Sequence, residues 1–109
     1  GFSGYAATKH AVIGLTRSWS RALSSRRIRV NAVCPGWVGT EAALRSLTAM
    51  ATERGVPEAI VQAEIEATHD IPGLMLPADV ASLYLFLAST LAANITGQAI
   101  NVDRGELQA

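Results

Sequence analysis

Ile28, Val30, Ala32, Val33 and Cys34 form a nearly continuous apolar run that Pro35-Gly36 stops. Successive side chains of a strand point to opposite faces, so such a run fits a strand covered on both faces, as in a parallel sheet. Parallel strands cannot be joined by a tight turn. They need a crossover of a dozen or more residues, usually helical. The flanks supply helices. From Tyr5 to about Ser24 the chain is rich in alanine and leucine, with Ala7, Ala11, Leu15, Trp19 and Ala22 recurring at steps of three to four. Arg26 and Arg27 suit the end of such a helix. Beyond the stop, Thr40 can cap a helix from about Glu41 to Arg54 that Gly55 closes, and Pro57 can open another through about Thr68. Ile71 to Pro77 is a connection punctuated by Pro and Gly. Ala78 to Ser89 reads as a helix, Asn94 to Gln98 as a turn, and Ala99 to Val102 as a final strand. The order is helix, strand, two helices, helix, strand. It predicts an α/β fold with two parallel strands and a right-handed crossover.

The two helices after Thr40 are rich in Ala, Glu and Thr, which predicts a surface excursion with a thin buried stripe. The helix after Ala78 is apolar on nearly every side, which predicts burial all round, in this chain or against another. Half the residues are apolar and 17% are charged, a globular balance. Nine basic residues against nine acidic ones give no net charge, which removes the usual electrostatic reason to expect nucleic acid or an anionic membrane. The longest apolar stretch, Val80 to Leu91, is interrupted by Ser82, Ser89 and Thr90 and falls short of the about 20 residues that span a bilayer. One cysteine, Cys34, has no internal partner, so a reducing, cytoplasmic setting is expected.

Tyr5 and Lys9 are four apart and share a helix face. A tyrosine phenol is a poor acid-base catalyst at neutral pH, and an ammonium beside it stabilises the phenolate. Lysine's three donors also suit sugar hydroxyls. On spacing alone, such a pair is more often a solvated helix face. Ligands of open parallel sheets bind beyond the carboxyl ends of strands. That makes Pro35, Gly36 and Thr40 candidates: Pro35 and Gly36 for exposed backbone groups that no side chain of Gly36 blocks, Thr40 for a hydroxyl at a helix start. An ordinary strand-to-helix turn accounts for the same spacing. Cys34 reads as a small strand residue, and His10 points about 100° from Lys9 on the helix and reads as packing. His69 has no companion ligands, so no metal site is expected. Arg26, Arg27 and Arg29 read as a solvated patch.

In combination these features are more specific. Tyr5-Ala-Ala-Thr-Lys9, Gly14-Leu15-Thr16, Ile28 to Gly36, Asp79-Val-Ala, Leu85-Phe-Leu-Ala-Ser89, Ile95-Thr-Gly-Gln98 and Asn101-Val-Asp103 resemble the short-chain dehydrogenase/reductase family throughout the chain and in order. The resemblance implies the C-terminal part of a single Rossmann-like, doubly wound domain over residues 1–109, with a lid at about 41–77. It implies hydride transfer between NAD or NADP and a secondary alcohol or ketone, including 3-hydroxy or 3-oxo acids and thioesters. Tyr5 would move the proton. Lys9 would assist it and hold the nicotinamide ribose. Pro35, Gly36, Val38 and Thr40 would contact the cofactor, and Trp37 would touch the nicotinamide or the substrate, or pack on the lid. The last helix and strand would form dimers or tetramers.

The family's glycine-rich turn, its NAD-or-NADP selector and its catalytic serine lie upstream of its tyrosine and have no counterpart here. Gly1 is therefore expected to be a cut, and the fragment alone inactive. A chain serving only for association is the alternative. Arg27 and Arg104 stand where the family often has glycine, and at Arg27 the turn favours positive φ.

Overall fold

The structure, a computed structural model, describes residues 3–106. Its elements are α1 (Ser3–Leu23), β1 (Ala32–Pro35), α2 (Glu41–Arg54), α3 (Glu58–Glu66), α4 (Pro77–Ala88) and β2 (Ala99–Val102). The order is the expected one. β1 and β2 form a two-stranded sheet. The amide of Ala32 donates to Gln98 at 2.8 Å and that of Gly36 to Val102 at 3.1 Å. Both strands advance together, so the pairing is parallel. The chain divides into two compact units, one of residues up to Cys34 with Leu83–Ile100, the other of Pro35–Ser82 with residues from Asn101 on.

In the first unit β1 starts four residues later than the apolar run. Polar side chains take the ladder's place there. Asn31 donates to the Ile95 carbonyl at 2.9 Å and accepts from the Gln98 amide at 3.1 Å. Thr96 Oγ1 accepts from the Val30 amide at 3.1 Å and lies 2.7 Å from Ser20 Oγ on α1. Gly97, at φ +74, allows that approach, because a side-chain carbon on it would lie 3.0 Å from Ser20 Oγ. The buried face of α1 is therefore Thr16 and Ser20, not the apolar stripe, of which Leu15 stays 45% exposed and Trp19 53%.

Two further readings are corrected in this unit. Arg29 is not part of a solvated patch: its guanidinium donates to the carbonyls of Leu87 at 2.6 Å and Ser89 at 3.3 Å, groups left over at the end of α4. The expected burial of α4 all round is corrected for this chain alone, where Leu87 is buried while Tyr84, Leu85 and Phe86 are exposed, which leaves cover by another chain as the part of that expectation still standing. Helices apolar on every side need more cover than this chain gives one.

In the second unit α2 and α3 form a helical hairpin around Leu47, Ala51 and Val61, with Met50, Val56 and Ile65 against them. This is the thin stripe. Thr40 caps α2 by accepting from the Ala43 amide at 3.1 Å, and Gly55 ends it at φ 65. Pro57 is the cap of α3 and not its first helical residue, and α3 stops at Glu66. Arg54 grips Glu64 with both terminal nitrogens, at 2.5 and 2.9 Å, and Thr48 donates to Glu58 at 2.8 Å.

The zero net charge is an average. All nine acidic residues belong to the second unit with three arginines, and the first unit carries the other six basic residues and no acid. Among the described residues no helix is long and apolar enough to cross a membrane.

Arg27 has φ 57 and ψ 34, left-handed values that cost a residue with a Cβ and cost glycine little. Arg27→Gly should raise the unfolding free energy by about 1 kcal/mol in urea denaturation, and Arg27→Ala should not. The hydrogen bond from Arg54 holds the Glu64 carboxyl below its ordinary range, against the opposing effect of desolvation. A depressed acid stabilises above that range and loses its contribution as pH falls through the folded-state value. Thermal midpoints of the wild type and Glu64→Gln should differ modestly at neutral pH, because the pair is exposed, and converge in acid.

Candidate functional site

Tyr5 and Lys9 lie on the first turns of α1. Helical geometry puts residues four apart on one face, and Lys9 Nζ sits 5.2 Å from the centre of the Tyr5 ring. An ammonium over an aromatic face is attracted by the ring's quadrupole. The phenol is 65% exposed. Neighbouring polar groups are engaged by the helix: Thr8 donates to the Gly4 carbonyl, and His10 Nδ1 lies 2.8 Å from the Ala6 carbonyl. What remains facing outward is a phenol beside an ammonium with three donors. That donor set fits a sugar bearing adjacent hydroxyls.

In the second unit Pro35, Gly36, Trp37, Val38 and Thr40 follow one another through the turn from β1 to α2. The turn is anchored by backbone bonds. Gly36 donates to Val102, Gly39 to Met75 at 2.7 Å, and Thr40 to Val38 at 2.7 Å, while Val38 and Met75 form a parallel bridge. Thr40's oxygen is committed to the Ala43 amide, which leaves its O–H free to donate. Trp37 and Val38 are half-buried.

The structure gives Gly36 a different reason from the one read in the sequence. A side-chain carbon there would lie 2.8 Å from both Asp103 Cβ and Glu106 Oε2 and 3.1 Å from Asp103 Cα. The missing side chain admits the tail that follows β2. Sequence reasoning missed this tail as part of the site's surroundings. Its one legible signal was Arg104 in a glycine position, and Arg104 has φ 56.

A cavity of about 580 Å³ lies in this unit, lined by Asp70, Met75, Asp79, Asp103 and Arg104 among others. His69 is nearby in sequence and its side chain is buried, with Nδ1 3.2 Å from the Gly73 carbonyl. Among the described residues no group of three or more His, Cys, Asp or Glu side chains could hold a metal ion. Cys34 is a free, half-buried strand residue.

A family model described as enoyl-(acyl carrier protein) reductase matches residues 1–106. The 3-oxoacyl-(acyl-carrier-protein) reductase FabG of Thermotoga maritima is 40% identical over 107 residues, covering 96% of this chain and 38% of that protein. The 3alpha-hydroxysteroid dehydrogenase of Mediterraneibacter gnavus is 40% identical over 100 residues, covering 92% and 36%. Among solved structures, a short chain dehydrogenase family protein from Francisella tularensis matches with a TM-score of 0.91 at 30% identity, over 95% of this chain and 43% of that one. A 4-hydroxyisoleucine dehydrogenase complexed with NADH matches at 0.74 and 30% identity, over 94% and 37%. The chain therefore spans between 36% and 43% of the length of these proteins. Their Rossmann-type α/β architecture agrees with the fold class read from the sequence.

Gly36→Ala should cost about 1–3 kcal/mol, the range for forcing atoms into a packed site, and urea denaturation measures it. An unchanged midpoint would mean that the tail moves aside freely.

Proposed function

The chain belongs to the short-chain dehydrogenase/reductase family, and on that premise we propose that it carries the proton-transfer pair and the nicotinamide-contact turn of an NAD(P)-dependent oxidoreductase. The reaction interconverts a secondary alcohol and a ketone. The observation that carries the reading is the Lys9 ammonium beside the exposed Tyr5 ring.

A bound nicotinamide supplies or takes the hydride. In the reductive direction the Tyr5 hydroxyl donates its proton to the substrate oxygen, so that ketone, hydride and proton give the alcohol. In the oxidative direction the phenolate takes the proton back. Lys9 assists Tyr5, and its ammonium donors hold the ribose hydroxyls. Pro35, Gly36, Val38 and Thr40 line the nicotinamide end, with Thr40's free O–H as a donor and Trp37 toward the substrate. The α2–α3 hairpin is the lid that excludes water.

The cofactor is NAD or NADP; the NADH in the complex of the 4-hydroxyisoleucine dehydrogenase supports a nicotinamide. The 3-oxoacyl reductase and hydroxysteroid dehydrogenase relatives support a carbonyl or alcohol substrate, with 3-oxo acids or thioesters the first to test. The exposed Tyr84, Leu85 and Phe86 of α4 support a homodimer or homotetramer. They are also what favours the second reading, a chain that serves association alone. A cytoplasmic setting follows from the single free thiol.

In the full-length protein Tyr5→Phe should lower turnover about a hundredfold or more, the contribution of a general acid-base, while fluorescence titration finds NAD(P)H affinity nearly unchanged. Unaltered turnover would remove Tyr5 from the mechanism.

A further inference from the structure

The side chain of His69 is 1% exposed. Its Nδ1 lies 3.2 Å from the Gly73 carbonyl, a group that can only accept, so Nδ1 carries a proton. Its Nε2 is buried with no hydrogen-bond partner among the described residues, and it faces Glu106 Oε2 at 3.8 Å. In the neutral ring two acceptors confront each other with no proton between them. A proton on Nε2 turns both nitrogens into donors and makes the facing pair a charge-assisted contact.

This pair belongs to a larger fastening between the segment leaving the hairpin and the tail after β2. The Ile71 amide donates to the Arg104 carbonyl at 3.0 Å, and the Arg104 guanidinium donates to the Pro72 carbonyl at 2.5 Å. Asp70 packs so closely on Gly105 that a side-chain carbon there would lie 2.6 Å from its Oδ2. The tail turns through Arg104 at φ 56 and Gly105 at φ 86, with the Gly105 amide donating to Asp103 Oδ1 at 3.0 Å. On its other side Glu106 sits against Gly36, 2.8 Å from where a side-chain carbon would be. Glu106 therefore touches both the exit of the hairpin and the turn that opens α2.

The charged groups on the surrounding elements are Asp103, Arg104 and Glu106 on the tail, Asp70 beside His69, Asp79 at the start of α4 and Glu66 at the end of α3. Asp79 accepts from the Leu76 amide and Glu66 from Gln62. The turn from Pro35 to Thr40 contributes none.

We propose that His69 and Glu106 form a proton-operated fastener. Uptake of a proton from solvent at Nε2 joins the hairpin's exit to the tail and seats Glu106 against Gly36; loss of that proton releases both. The consequence for the cofactor, that the turn carrying Pro35, Val38 and Thr40 is held firmly only when His69 is charged, rests on the function proposed above. The fastener itself does not.

Amide hydrogen exchange of the full-length protein tests it, with rates expressed as protection relative to the intrinsic rate at each pH. Between about pH 5.5 and about pH 8, protection of the Ile71 and Gly36 amides in the wild type should fall about fivefold or more at the higher pH. Glu106→Gln places an amide donor opposite the bare Nε2, so its protection should be the same at both. Equal protection at both pH values in the wild type would overturn the proposal, as would a Glu106→Gln variant that loosens with pH as the wild type does. Exchange needs no turnover, so failure here leaves the role of Tyr5 standing, and failure of Tyr5 leaves the fastener standing.

Discussion

The register of the two strands depends on a few polar side chains at their entrance. Asn31 bonds both the carbonyl of Ile95 and the amide of Gln98, and Thr96 bonds the amide of Val30 and the hydroxyl of Ser20. A one-residue slip would break the three between residues 30–31 and 95–98, each worth about 0.5–1.5 kcal/mol, and would turn every side chain of the slipped strand to the opposite face. With that register fixed, Gly36 pairs with Val102. The tail then leaves β2 where it can pack on Gly36, and the turn toward Thr40 begins there. Hydrophobic contact between strands sets no register by itself, because it is non-directional.

The parts of this fold legible in the sequence are those written in local residue choice. Thr40 and Gly55 mark the ends of α2 because a cap needs a side-chain acceptor at one end and a left-handed residue at the other. Parallel pairing followed from an apolar run and the long crossover behind it. The positive φ at Arg27 was legible because a glycine position had been taken by arginine. What was not legible depends on distant partners. Periodicity located α1 and could not tell that its buried face would be Thr16 and Ser20, since the reason is a hydroxyl and a glycine at Thr96 and Gly97. Arg29 read as one of three similar arginines. Its partners, the carbonyls ending α4, lie about sixty positions away.

The candidate site divides the same way. Tyr5 and Lys9 were legible as a pair because helix geometry alone brings residues four apart together. The turn from Pro35 to Thr40 was legible as a place, with one neighbour missing. Gly36 reads in the sequence as room for a ligand's approach, and the structure adds that its missing side chain also admits the tail. A glycine without a side chain records that something approaches closely and carries no information on what it is. His69 was dismissed for lack of companion ligands, which bears on metals only; its burial against Glu106 is a property of chain segments that meet across the unit.

These contacts constrain how the hairpin could close over a substrate, the role proposed for it. Its helices share their own core at Leu47, Ala51 and Val61 and are tied outside by Arg54 to Glu64 and Thr48 to Glu58. A pair of helices held in this way moves as one body, because bending either would open a packed core. The change in backbone torsion must then fall in the segments that enter and leave it, residues 35–40 and 67–76. Both segments are fixed by the same tail, the first through Gly36 and the second through Arg104, Gly105 and Glu106. The two ends of the hinge thus share one short stretch of chain. Any influence on that tail is therefore felt at the entrance and the exit of the hairpin together.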